Sequence, residues 1–204
     1  MAVGGFTALL ITPAFALSYF SAYAVPGESP RPWLAALQDP LVEAGLVVPG
    51  STSVYDQYGV LYLAAWVLAL AGSVALVRPQ LGLATPRMRR AWVGVIGCLS
   101  LVAVGILGDY AISNDVVGGV GFVLTGLGFL GATVAFAFLG YALRRPIGAT
   151  RRVAWSVGVL GLVSVVGGMA LVGHIPSGPG VGFAVAAIVV AASHRASRVA
   201  SGRT

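Results

Sequence analysis

Every basic side chain of this 204-residue chain is an arginine, and all but Arg31 fall in alternate connections between long apolar runs or in the tail after the last of them. The six carboxylates, Glu28, Asp39, Glu43, Asp56, Asp109 and Asp115, fall in the other connections. Few architectures are compatible with that alternation. Runs of about 20 apolar residues cross a hydrocarbon core as helices, because no backbone polar group can be left unpaired there. Arginine-bearing connections stay in the cytoplasm. The pattern therefore predicts an all-α integral membrane protein, a six-transmembrane-helix bundle with both N- and C-termini cytoplasmic. The outer carboxylates corroborate that orientation without proving it, since acidic residues weigh little in the rule. Only 9% of residues are charged, against about a quarter in soluble domains, which excludes an ordinary soluble fold.

The predicted spans cover roughly 3–24, 58–77, 91–108, 116–143, 153–173 and 180–193, within a single transmembrane domain over 1–204. Pro13 lies inside the first and removes one helical hydrogen bond, which predicts a kink. Ala22-Tyr23-Ala24 is also an A-x-A site. The missing positive n-region argues for a retained helix, and cleavage after Ala24 would leave five spans in the same orientation. An outer interfacial loop is expected over 25–57. Within it, Ser29-Pro30-Arg31-Pro32 can open a short helix carrying Trp33, Leu34 and Leu37. Asp39-Pro40 reads as an N-cap followed by proline at the first helical position, with Glu43 in the first turn. Such a loop can serve as a lid on the bundle or as part of a binding mouth.

The hairpin of spans three and four resembles that of spans five and six. Arg90-Ala91-Trp92 matches Val153-Ala154-Trp155 in position, and Gly119-Val120-Gly121-Phe122 matches Gly180-Val181-Gly182-Phe183. Both hairpins start inside, so this would be a parallel repeat. Similar apolar composition is the alternative explanation. The span over 116–143 carries Gly118, Gly119, Gly121, Gly126, Gly128 and Gly131, with Gly121/Thr125 and Gly128/Ala132 as small-xxx-small pairs. Lipid offers no hydrophobic drive between helices, so small residues mark close packing. This span is expected at the centre of the bundle. It is also the surface on which another membrane protein or a second copy would associate.

Chemistry is sparse. No acid or base lies inside a predicted span, which disfavours proton pumping and voltage sensing. The candidate ligand-binding residues gather at the outer ends: Asp109, Tyr110, Asp56, Tyr58, Tyr62, Tyr19 and His174. Tyrosines beside carboxylates can cage an organic cation. An aromatic belt at the headgroups explains most of the same tyrosines without a ligand, and Trp92 and Trp155 read as anchors at the inner interface. Asp109 reads as a solvated cap of the outer turn unless its helix buries it. The carboxylates come from three separate loops without ligand spacing, so no metal site is expected. One outer histidine and a lone Cys98 fall short of a zinc set. No cofactor motif occurs, and no G-x-S-x-G marks a nucleophile. Nucleic-acid binding is not expected, because the arginines flank apolar spans and form no soluble patch.

Three functions fit these residues. The first is a non-enzymatic accessory, scaffold or lipid-associated membrane protein. The second is a carrier or binding protein for a small apolar or cationic molecule entering from the outer face. The third is a membrane enzyme with an extracytoplasmic Asp109/His174 site. The expected location is the plasma membrane. The absence of lysine, with heavy Ala, Gly, Val and Arg use, points to a GC-rich prokaryotic genome.

Overall fold

The computed structural model describes residues 2–23, 26–77, 86–112, 114–142, 149–200 and 202. Among the described residues there is no strand. Among the described residues six long helices form the body: α1 (Ala2–Tyr23), α4 (Thr52–Val77), α5 (Pro86–Tyr110), α6 (Asp115–Ala142), α7 (Ala149–Val172) and α8 (Ser177–Ala200). Two short ones, α2 (Pro32–Ala35) and α3 (Gln38–Glu43), lie in the connection between α1 and α4. Ala2–Tyr23, Arg89–Tyr110 and Asp115–Ala132 are each long and apolar enough to cross a membrane. The chain is thus a helical bundle of membrane type.

Short connections make consecutive helices antiparallel neighbours. α1 packs on α4, α4 on α5, α5 on α6, α6 on α7, α7 on α8, and α8 back on α1, which closes a ring. One end of the ring gathers the 26–51 segment and the α5–α6 and α7–α8 turns. The opposite end carries Arg87, Arg89 and Arg90 at the start of α5 and Arg195 and Arg198 near the end of α8, all exposed. Arg78, Arg144, Arg145, Arg203 and Ala24 of the A-x-A site lie outside the described residues, as does the Trp155 side chain.

The helices run past the apolar spans. α4 begins at Thr52, so Tyr55 and Asp56 lie in its first two turns and not in a loop. α5 extends to Tyr110 and α8 begins at Ser177. Asn114 caps α6, its Oδ1 accepting from the amides of Val116 and Val117 at 3.1 Å each. Asp115 follows in the first turn, where the helix dipole favours an anion. α1 is continuous through Pro13.

The glycine-rich helix α6 is not at the centre of the bundle. It turns Val116, Val120, Phe122, Val123, Leu127 and Phe138 outward. Its small stripe packs on α5: a Cβ at Gly121 would meet the Gly105 carbonyl oxygen at 2.5 Å, and one at Gly128 would meet the Cys98 carbonyl oxygen at 2.8 Å. Beside that stripe Phe129 is buried against Trp66 of α4, with ring centroids 5.0 Å apart. Thr125 and Ala132, the partners of those glycines in the small-xxx-small pairs, are buried. Glycine marks where two backbones come closest, which is one face of α5 here. The more enclosed helix is α8, which buries Gly178, Gly180, Gly182, Phe183, Ala184, Ala186, Ala187 and Val190. It approaches α7 at Gly182 and Ser164, and it approaches α4 where the Tyr62 ring lies over Gly180. Gly121 and Gly182, matched positions in the two similar hairpins, both abut the preceding helix.

Trp92 is buried in the main core and does not anchor an interface. It is enclosed because it shares the face of α5 that carries Val95, Leu99, Val102 and Ile106, all buried in the same core.

Candidate functional site

The 26–51 segment is a lid across the loop end. α2 opens with proline in its first turn, and Arg31 is its N-cap. Leu34 of α2 and Val47 after α3 are buried against Ala14, Ala16 and Leu17 of α1 and Val172 of α7. Asp39 does not cap α3: the helix starts at Gln38 with Leu37 as N-cap, Asp39 lies inside the first turn, and Glu43 is the last residue. The Leu37 amide already bonds the Leu34 carbonyl, so the chain enters α3 directly from the turn that ends α2. Polar clips hold the lid down. The Trp33 indole donates to the Leu171 carbonyl at 2.6 Å, and the Tyr58 hydroxyl donates to the Leu46 carbonyl at 2.6 Å. The Tyr19 hydroxyl donates to Glu28 at 3.1 Å, and the Gly50 amide donates to Ser21 at 3.1 Å.

Beside the lid lies an aromatic cluster built from four long helices and one turn. Gly173, at φ +73°, ends α7 in the left-handed region that only glycine enters without strain. The reversal sends His174 into the bundle instead of out to water. Its Nδ1 lies 2.7 Å from the Ser177 hydroxyl and its Nε2 lies 3.3 Å from the Tyr55 hydroxyl. Tyr55 in turn shares a 2.9 Å hydrogen bond with Tyr110. The Tyr62 hydroxyl donates to the Ser177 carbonyl at 3.2 Å. Phe15 sits among these rings, with centroids 5.1 Å from Tyr55, 5.4 Å from Tyr62, 5.5 Å from Tyr110 and 4.9 Å from His174. Tyr19 covers the other side of the imidazole at 4.7 Å. These are ordinary separations for offset and edge-on aromatic pairs.

His174 is 1% exposed. It belongs to the outer end in sequence but not to the outer surface. Burial pushes its pKa down to about 3, because an imidazolium there would lose its hydration without gaining a carboxylate partner. The ring is neutral, with one nitrogen donating and the other accepting. Tyr55, Tyr62 and Tyr110 are likewise buried, so they are not members of a headgroup belt. A tyrosine can turn inward where its hydroxyl meets another hydroxyl, a carbonyl or an imidazole.

Of the residues singled out from sequence, Tyr19, Tyr62, Tyr110 and His174 come together in this cluster. Tyr58 stands one turn away and holds the lid. Asp56 and Asp109 remain partly exposed at the rim. They come from α4 and α5, close enough to sense one another's charge, and Tyr23 senses both. Asp109 lies in the last turn of α5, next to Gly118 of α6. It is therefore partly buried and not a freely solvated cap. The hydrogen bonds of His174 go to Ser177 and Tyr55, and neither carboxylate is bonded to it. Among the described residues no three His, Cys, Asp or Glu side chains gather as a metal set.

Phe15 and Ser177 were not among the sequence candidates. Phe15 and Tyr19 stand four apart on one helical face, and Ser177 stands three after His174. Those spacings were the available signals. The chain matches no protein-family model, no curated protein and no solved structure.

Proposed function

We propose that the chain is a six-span integral membrane protein of the plasma membrane, with both termini at the cytoplasmic arginine end. In this reading it serves as a non-enzymatic accessory or scaffold subunit, or as a lipid-associated protein. One observation carries the functional part. The buried polar side chains among the described residues are Thr12, Ser18, Thr125, His174 and Ser177, with no carboxylate or guanidinium among them. Ion paths and proton relays through a bilayer are built on chains of acids, bases and histidines, whereas the bonded partners of His174 are the hydroxyls of Ser177 and Tyr55. The six-span part rests on length. α4, α7 and α8 have 26, 24 and 24 residues and stand in the same ring as the three helices that are apolar enough to cross. A partner or a second copy would use the outer face of α6. Gly119 and Gly126 are open there, whereas Gly121 and Gly128 are occupied by α5.

Topology is checked by single cysteines in a Cys98→Ser background, labelled in intact cells by an impermeant maleimide. Glu28→Cys is expected to react at once. Arg195→Cys is expected to react only after permeabilisation. Labelling of both from outside overturns the even number of spans.

The paired rim carboxylates Asp56 and Asp109 beside Tyr23 favour a second reading, a binding protein for an organic cation. Titration calorimetry with tetraethylammonium separates the two. The accessory reading expects no saturable heat up to millimolar ligand. Saturable heat that disappears in Asp109→Asn establishes the binding reading instead.

A further inference from the structure

The lid and the buried imidazole meet at the end of α7. Trp33 is bonded to the Leu171 carbonyl, Leu34 packs against Val172, and the Arg31 guanidinium lies over Gly173. The next residue is His174. Three consecutive residues thus hold the lid, and the fourth is fixed inside the aromatic cluster by Ser177 and Tyr55. Any movement of the turn that brings the imidazole to water must also draw the α7 end away from its lid contacts.

We propose that the His174 turn is a proton-operated latch: proton uptake by the imidazole expels it from the aromatic cluster and releases the 26–51 lid. The surroundings of the ring set the direction. α1 presents Phe15 and Tyr19, α4 presents Tyr55, and α5 presents Tyr110 through Tyr55. α8 presents the Ser177 hydroxyl. The lid presents Glu28, which is engaged by Tyr19, and Arg31, whose charge opposes an imidazolium. Asp56 and Asp109 sit at the rim and are not bonded to the ring. No carboxylate therefore stabilises the charged form in place, and water outside the cluster is its available solvent.

The closed state binds no proton at His174 until the pH nears 3. The opened state binds one near the ordinary histidine value of about 6.5. Stability from the neutral buried ring is fully present above about 6.5 and is lost progressively as pH falls below it. Between pH 7.5 and 4.5 the opening equilibrium therefore shifts by about a hundredfold.

The test is amide hydrogen exchange of the full chain in nanodiscs, expressed as protection factors. The lid's hydrogen-bonded amides, Ala35 through Leu37 and Ala44 through Val47, report opening. Their protection is expected to fall about a hundredfold from pH 7.5 to 4.5 in the native protein and less than about threefold in His174→Gln. Unchanged native protection overturns the latch. An equal fall in His174→Gln also overturns it and assigns the opening to other groups. Should that variant not fold, the His174 ring is titrated by NMR in a His194→Gln background. A ring that stays neutral until the lid amides lose protection supports the latch, and one that titrates near 6.5 with the lid closed overturns it.

Discussion

Gly182→Ala is expected to destabilise the bundle by about 3 kcal/mol, lowering its apparent melting temperature by roughly 6–12 °C. In a helix with open surroundings the same change would gain up to about 1 kcal/mol, because alanine is the better helix former. The sign is reversed by what the new methyl meets. A Cβ at Gly182 overlaps the carbonyl of Ser164, which is backbone and cannot rotate away, so α7 and α8 must move apart. Gly126→Ala is the control, since nothing lies within 4 Å of its added carbon. It is expected to be neutral or slightly stabilising. Thermal unfolding in detergent, followed by size-exclusion chromatography of the heated samples, measures both. A Gly182→Ala protein as stable as the native one would mean that the close approach of α7 and α8 is not required.

The helices were legible because their causes are local. About 20 apolar residues flanked by arginine on one side and Pro, Gly or Asp on the other can do little else in a membrane. The internal arrangement was not legible for a reason visible in α1. Its residues are apolar on nearly every face, so hydrophobic periodicity cannot tell the side that meets Tyr55 from the side that meets lipid. Leu10 and Phe15 differ little in hydropathy, yet one is mostly exposed and the other sealed. Polar residues carried more information. Tyr19, Tyr62, Tyr110 and His174 group in the sequence because they fall at the ends of the apolar runs that also carry the carboxylates. The structure joins them, with Tyr62, Tyr110 and His174 buried and Tyr19 at the edge. Glycine was the misleading signal in α6, because it marks a contact line and says nothing of how many neighbours a helix has. Gly173 was the informative one. Its left-handed turn decides whether His174 faces water or the cluster, and hydropathy contains no trace of that.

Phe15→Ala is expected to cost about 3 kcal/mol, at the low end for a buried aromatic. In water that cost combines transfer and cavity terms. Here the transfer term shrinks, because lipid accepts a phenyl ring as readily as the bundle does. What remains is the dispersion lost by Tyr55, Tyr62, Tyr110 and His174, all of which face the ring at 4.9 to 5.5 Å. Phe6→Ala on the same helix isolates that term. Phe6 is 55% exposed, so its truncation is expected to change stability by less than about 0.5 kcal/mol. Phe15→Leu retains much of the volume and is expected to cost about 1 kcal/mol. The graded series Ala, Leu, Phe at position 15 therefore reads packing alone. A second readout separates packing from the polar network. If Phe15 also holds the imidazole against Tyr55, the His174 ring of Phe15→Ala should take up a proton at higher pH than in the native protein. A ring that titrates as in the native protein, in a variant that has lost stability, would show that Ser177 and Tyr55 alone position His174.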